Sequence, residues 1–220
     1  MSSAARPRVI LASASPARLT LLRAAGLDPE VRVSAVDEDA IEAQLASEGT
    51  TAPDQICLAL ALAKTAVVAE QIRSESRSSV PTLVIGCDSV LDIDGRALGK
   101  PADAAEATAR WRQMRGRAAM LCTGHAVALI GSVPDEDRIA QAVAATMVQF
   151  AAIDDGTIAA YVATGEPLRV AGAFTLDGLG GPFVEFIEGD HSNVVGLSLP
   201  LTRHLVSELG IGWTDLWAQN

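Results

Sequence analysis

Several short stretches of the chain carry residue types suited to phosphate chemistry. Ser13-Ala14-Ser15-Pro16-Ala17-Arg18 sets two hydroxyls and a guanidinium around the start of a predicted helix. Free N–H groups and the helix dipole favour an anion at such a terminus. Asp88 follows the apolar run 82–87, where a carboxylate can hold a divalent ion or take a proton from water. Asp37-Glu38-Asp39, followed by Glu42, offers clustered oxygen ligands suited to magnesium or manganese. The chain holds fifteen arginines but only two lysines, Lys64 and Lys100. Where a cation need only be solvated, this chain uses arginine, so the lysines mark places that want a compact ammonium. Each stretch also has an ordinary explanation. These are a capped helix with a solvated arginine, an aspartate at a strand exit, a solvated acidic loop, and a helix lysine laid along apolar surface.

Other candidates are weaker. Gly178-Leu179-Gly180-Gly181 reads as a turn and precedes no helix, so it is not a dinucleotide fingerprint. Glu188 and Asp190 decorate the loop after it. His125, His191 and His204 show no metal spacing. Cys57, Cys87 and Cys122 sit in apolar stretches and read as core thiols of a reducing compartment, the cytoplasm. There is no P-loop, no Gly-x-Ser-x-Gly and no Cys–His pair.

The elements that position these residues can be read along the chain. Residues 8–12 form a short buried strand, 13–15 a turn, and 16–25 a helix with Ser15 as cap, Pro16 inside and Gly26 as stop. A second strand is predicted at 31–36, and a helix capped by Asp54 runs to about 72. A polar linker covers 74–81. Residues 82–87 are a central strand, and Asp94-Gly95 is a two-residue hairpin signal that folds 96–100 back on 89–93. Strict register sets Lys100 opposite Ser89, with Lys100 and Asp88 on opposite faces unless a bulge intervenes. Asp103 starts a helix that Gly116 stops, 121–130 is a strand, and 134–138 is an acidic loop. Residues 140–150 fit helix or strand, with strand favoured as a hairpin partner. Asp154 caps a helix to about 164, strands follow at 170–175 and 183–187, and a helix at 199–209 closes the chain. Strands interleaved with helices and hairpins specify an α/β fold with a mixed sheet.

The 220 residues suffice for a single domain spanning 1–220 with an ordinary core. The net charge of −10 disfavours nucleic-acid and anionic-membrane partners. No apolar run approaches a membrane span, since Lys64 ends the best one at 56–63.

The ordered set of motifs resembles the Maf-like nucleoside triphosphate pyrophosphatases. It runs from Leu11-Ala-Ser-Ala-Ser-Pro-Ala-Arg18 through Val36-Asp-Glu38, Ala63-Lys64, Ile85-Gly-Cys-Asp88-Ser89, Gly99-Lys100-Pro101 and Thr123-Gly124. It continues through Tyr161, Gly165-Glu166-Pro167, Ala171-Gly172-Ala173-Phe174, Ile187-Glu188-Gly189 and Asn193-Val-Val-Gly-Leu197. The resemblance implies a mixed β-sheet flanked by helices with a deep cleft between two lobes, in a family that is often homodimeric. It implies metal-dependent hydrolysis of a standard or modified nucleoside triphosphate to monophosphate and pyrophosphate, with Mg2+ or Mn2+. Asp88 would be the proton acceptor and a metal ligand, with Glu38 beside the metal. Ser13, Ser15, Arg18, Lys64 and Lys100 would hold phosphate, and the two lysines would also assist catalysis. Both rare lysines thus fall on family positions. The chain departs from the family pattern at Ala17 and Ala119 and from the pyrimidine-specific pattern at Val170 and Asp177, which bears on base choice. The resemblance also allows an alternative, a nucleotide-binding regulator of cell division or septum formation with little catalysis.

Overall fold

The computed structural model describes residues 6–75, 80–131, 133 and 137–218. The linker expected at 74–81 and the acidic loop at 134–138 fall partly outside these residues.

One seven-stranded mixed sheet organises the chain, in the order β2-β1-β3-β5-β6-β7, with β4 paired to β3 off this path. The strands are β1 (Arg8–Leu11), β2 (Glu30–Val31), β3 (Thr82–Ile93), β4 (Arg96–Leu98), β5 (Ala118–Ile130), β6 (Arg138–Phe150) and β7 (Val184–Glu188). β1 pairs in parallel with β2 and β3, and the other pairings are antiparallel. Residues 140–150 are therefore strand, the long partner of β5.

The layout of β3 makes the cleft. β5 covers one edge of β3 from Thr82 to Asp92. On the other edge β1 pairs only with residues 82–85, and β4 only with 91–93. Residues 86–90 face the gap between them. Asp88 was expected just past the end of a strand; it lies in mid-strand, yet beside the carboxyl end of β1. The hairpin at Asp94-Gly95 forms as expected, with both residues at positive φ, 56° and 77°. Its pairing stops at Leu98, so Lys100 never reaches the position opposite Ser89.

The helices are α1 (Pro16–Ala24), α2 (Glu38–Ser47), α3 (Pro53–Ser74), α4 (Ala104–Met114), α5 (Asp155–Ala163), α6 (His191–Val195) and α7 (Leu199–Glu208). By length and composition alone α3 is apolar enough to cross a membrane. Here it is a core helix, with Cys57, Leu60, Ala61, Val68 and Ala69 buried. Gly86 and Gly124 let it lie close on the sheet. A Cβ at Gly86 would sit 2.1 Å from Thr65 Oγ1, and one at Gly124 would sit 2.3 Å from the Cys57 carbonyl. Val84, Ile10, Ala12, Ala128 and Ile130 pack with Val68, Ala69 and Ile72 on this side. Opposite, Val9, Leu11, Leu83, Ile85 and Val127 pack with Leu205 and Val206 of α7. A third cluster joins α4 and α5 to the far end of the sheet, with Trp111 edge-on to Phe150, Tyr161 and Phe183.

Several expected elements differ. The strand at 31–36 shrinks to Glu30–Val31. The acidic loop at 37–39 is the start of α2, capped by Asp37, whose Oδ1 accepts from the Ala40 N–H at 3.0 Å. α3 begins after Ala52 with no side-chain cap, so Asp54 is a first-turn acid and not the cap. The strand at 170–175 is instead a 3-10 turn at Ala171–Ala173, preceded by another at Pro167–Arg169, with Gly172 and Ala173 at positive φ. Gly172 has no room for a side chain, since a Cβ would lie 2.7 Å from Leu91 Cβ. Asp190 caps the short α6 and does not merely decorate a loop.

His125 illustrates how buried polar groups fix the α6–α7 turn. Its Nε2 accepts from the Ser198 N–H at 2.8 Å, which leaves Nδ1 to donate to the Thr123 carbonyl at 3.0 Å. Burial pushes its pKa down to about 4. The unfolded chain takes up the proton near pH 6.5, before the folded chain does, so this contribution to stability is complete above about 6.5. It is lost as pH falls toward 4, by about 3 kcal/mol in all at roughly 1.4 kcal/mol per pH unit. Urea unfolding at pH 7 and pH 4.5 should show a shallower decline for His125→Gln than for the parent. Equal declines would contradict this assignment.

Candidate functional site

A cavity of about 940 Å³ occupies the gap beside β3. Ser13, Ser15, Arg18, Glu38, Lys64, Asp88 and Lys100, every site residue expected from sequence, line it. Of the departures, Ala17, Val170 and Asp177 also line it. Ala119 does not; it is buried in the cluster around Trp111 and Phe150, far from any role in base choice through direct contact.

Asp88 projects from the α3 side of β3 and is only 8% exposed. Its Oδ1 accepts from Lys64 Nζ at 2.5 Å, and Lys64 also reaches Glu38 Oε1 at 2.8 Å. Lys64 stands near the middle of α3, and Gly86 and Gly124 bring that helix near enough for this contact. Burial raises the Asp88 pKa, and the charges of Lys64 and Arg18 only partly offset it. A carboxylate so placed is a better proton acceptor than an exposed one. Glu42, one turn after Glu38, is raised first by burial and then by Asp88, Asp39 and Glu38.

Arg18 is buried, and most of its donors are taken by the protein. Nε donates to the Gly196 carbonyl at 2.6 Å. Nη1 donates to Ser13 Oγ at 3.1 Å and to the Cys87 carbonyl at 2.7 Å, and Nη2 to Ser89 Oγ at 3.0 Å. It therefore satisfies the open edge of β3 and ties Ser13, Ser89 and Gly196, at the end of α6, together. Ser15 caps α1 by accepting from the Arg18 N–H at 3.4 Å.

Lys100 contrasts with both cations. It is exposed in the cavity and has no partner among the described residues. Arg169, not singled out from sequence, also lines the cavity. So does Arg110, whose signal was the Glu106–Arg110 spacing of four on an amphipathic helix. Glu166 lines the cavity too, and it organises the glycine-rich turn. Its Oε1 accepts from Tyr161 Oη at 2.9 Å, Thr175 Oγ1 at 2.5 Å and the Gly180 N–H at 3.1 Å, while Oε2 accepts from the Leu179 N–H at 3.1 Å. Burial alone would raise its pKa, but these donors lower it.

The three thiols are buried and unpaired, and burial pushes Cys57 and Cys87 up to about 12 and Cys122 to about 11. None is a nucleophile at neutral pH.

Among the described residues, no three His, Cys, Asp or Glu side chains form a metal cage. Of the carboxylates that line the cavity, Glu38 and Asp88 converge on one ammonium. Such a pair fits Mg2+ or Mn2+ arriving with a polyphosphate, because these ions bind one or two carboxylates and complete their shells with water and phosphate oxygens.

The fold and site define an α/β protein whose cleft sets a buried carboxylate beside cations and a helix N-terminus. A family model described as Maf-like protein matches residues 8–209. Proteins named nucleoside triphosphate pyrophosphatase in Streptomyces avermitilis and Streptomyces coelicolor are each 56% identical to this chain, over 99% of it and 98% of the relative. One of the same name in Salinispora tropica is 52% identical over 100% of the chain and 91% of the relative. The chain belongs to the Maf-like protein family.

Proposed function

We propose that the protein hydrolyses a nucleoside triphosphate to the monophosphate and pyrophosphate, with Asp88 as proton acceptor. The observation that carries this is the meeting, in one cavity, of a buried carboxylate with raised pKa and Lys100, a cation with no partner among the described residues. The names and high identity of the relatives support the reaction class.

The triphosphate lies along the gap in the sheet. Lys100 and the Ala17 N–H in the first turn of α1 meet its phosphate oxygens, with Ser13 and Ser15 beside them. Arg18 adds its positive charge and holds Ser13 and Ser89 in place. Asp88 accepts a proton from the water that attacks the α-phosphorus, and the electron pair of the α–β bridge leaves with pyrophosphate. Lys64 favours the ionised form of Asp88 against its burial and, with Lys100, stabilises negative charge on the leaving group. Glu38 and Asp88 would hold a Mg2+ or Mn2+ ion, which supplies charge neutralisation on the phosphates. The three reduced thiols support a cytoplasmic setting.

The test is incubation with Mg2+ or Mn2+ and a panel of standard and modified nucleoside triphosphates, with pyrophosphate and orthophosphate measured separately. Pyrophosphate released alone, from one or a few bases, is the expected result. Orthophosphate as the first product, or nucleotide binding without release, would overturn the proposal; the latter outcome favours the regulator.

A further inference from the structure

The loop that carries Lys100 is pinned from α4. The Gly99 carbonyl accepts from Arg110 Nη1 at 2.5 Å and from the Gly172 N–H at 3.0 Å. Two residues past Lys100, the Ala102 N–H donates to Glu106 Oε2 at 2.8 Å. The other oxygen of Glu106 accepts from Arg110 Nε at 3.1 Å and Nη2 at 2.6 Å. Pro101, between the two anchors, is buried and fixes its own φ. Asp103 then caps α4 by accepting from the Glu106 N–H at 2.8 Å.

Arg110 is 9% exposed, on a helix whose other buried residues are Ala107, Trp111 and Met114. Packing alone would be served there by an apolar side chain, since a buried charge is costly unless paired. The guanidinium is paired on both sides, with a carboxylate and with the carbonyl that precedes Lys100. Lys100 itself has four rotatable bonds and no partner among the described residues, so its backbone determines where its ammonium can reach.

We propose that Arg110, held by Glu106, is a positioning residue for Lys100. It sets the backbone of residues 99–102 so that the Lys100 ammonium meets the phosphates. The inference rests on the assignment of Lys100 to phosphate binding. It differs from a direct role for Arg110, which also lines the cavity, in what happens when Lys100 is gone.

The experiment is a double-mutant cycle on kcat/KM with a nucleoside triphosphate that the protein turns over. The variants are Arg110→Met, Lys100→Met and the pair. Loss of a hydrogen bond to a charged group predicts about a tenfold fall for Arg110→Met, and a fall at least as large for Lys100→Met. In the Lys100→Met background, Arg110→Met should cost less than about twofold, because the group it positions is absent. Arg110→Lys should recover part of the activity. If Arg110→Met does not fold, Glu106→Gln replaces it, with a smaller fall that likewise vanishes without Lys100. Full additivity would overturn the inference while leaving Lys100 in its role. No loss with Lys100→Met would overturn the assignment of Lys100 itself.

Discussion

Asp88→Asn should lower kcat by about a thousandfold or more, the upper part of the range for removing a positioned general base. The amide is isosteric but cannot accept the proton of the attacking water. Lys64 keeps its bond to Glu38 at 2.8 Å, so the buried ammonium is not left unpaired. Nucleotide affinity, measured by titration calorimetry, should therefore change only severalfold. The parent should also lose activity on the acid side at a pH above that of an ordinary aspartate, because burial raises the Asp88 pKa and protonation removes the base. The residual activity of Asp88→Asn should lack that limb. Parent-like turnover in the variant would remove Asp88 from the chemistry.

Gly124→Ala should produce the largest loss of stability from a single methyl group. The added Cβ would lie 2.3 Å from the Cys57 carbonyl oxygen, 2.5 Å from its carbon and 2.6 Å from Leu58 Cα. All three are backbone atoms of α3, so no side chain can swing aside. Overpacking usually costs 1–3 kcal/mol, and about 3 kcal/mol is expected where backbone must move. At this chain length that corresponds to a fall in Tm of roughly 10 °C. The variant should also lose turnover while still folded, because displacing α3 draws Lys64 away from Asp88. Gly156→Ala, where the nearest atom is an ordinary 3.4 Å away, is the control and should leave Tm unchanged or slightly higher. Equal Tm values for Gly124→Ala and the parent would show that α3 does not need its close approach.

Much of this site was legible in sequence because its positions have strong local signals. Ser15-Pro16 marks a helix start, Asp94-Gly95 marks a tight hairpin, and two lysines among fifteen arginines mark themselves. The ordered motifs then joined these pieces through a family resemblance. What stayed hidden depends on contacts between distant segments. α2 has a capping aspartate but no buried residue, so no apolar periodicity announces it. Residues 170–175 are apolar enough for a strand, but the chain turns at Gly172, at positive φ and too close to Leu91 for a Cβ. The length of β3 was hidden as well, because Asp88 and Ser89 interrupt an apolar run without interrupting the strand.

The roles of the cations were the least legible. Arg18 was expected to reach an anion, yet it spends most of its donors on Ser13, Ser89 and two backbone carbonyls. Arg110 carried only a helix spacing, and its bond to the Gly99 carbonyl depends on how the β4–α4 turn folds back. Glu166 sits in a Gly-Glu-Pro loop that looks like simple punctuation, yet it collects four donors from two hydroxyls and two backbone amides. A sequence shows which charges are present; tertiary packing decides which of them are left free for a ligand.

The most direct test of the central claim is turnover in water enriched in oxygen-18, with the products weighed by mass spectrometry. Attack of water at the α-phosphorus, with Asp88 taking its proton, predicts one heavy oxygen in the nucleoside monophosphate and none in pyrophosphate. Label in pyrophosphate, or in released orthophosphate as the first product, would place the attack at another phosphorus and contradict the account.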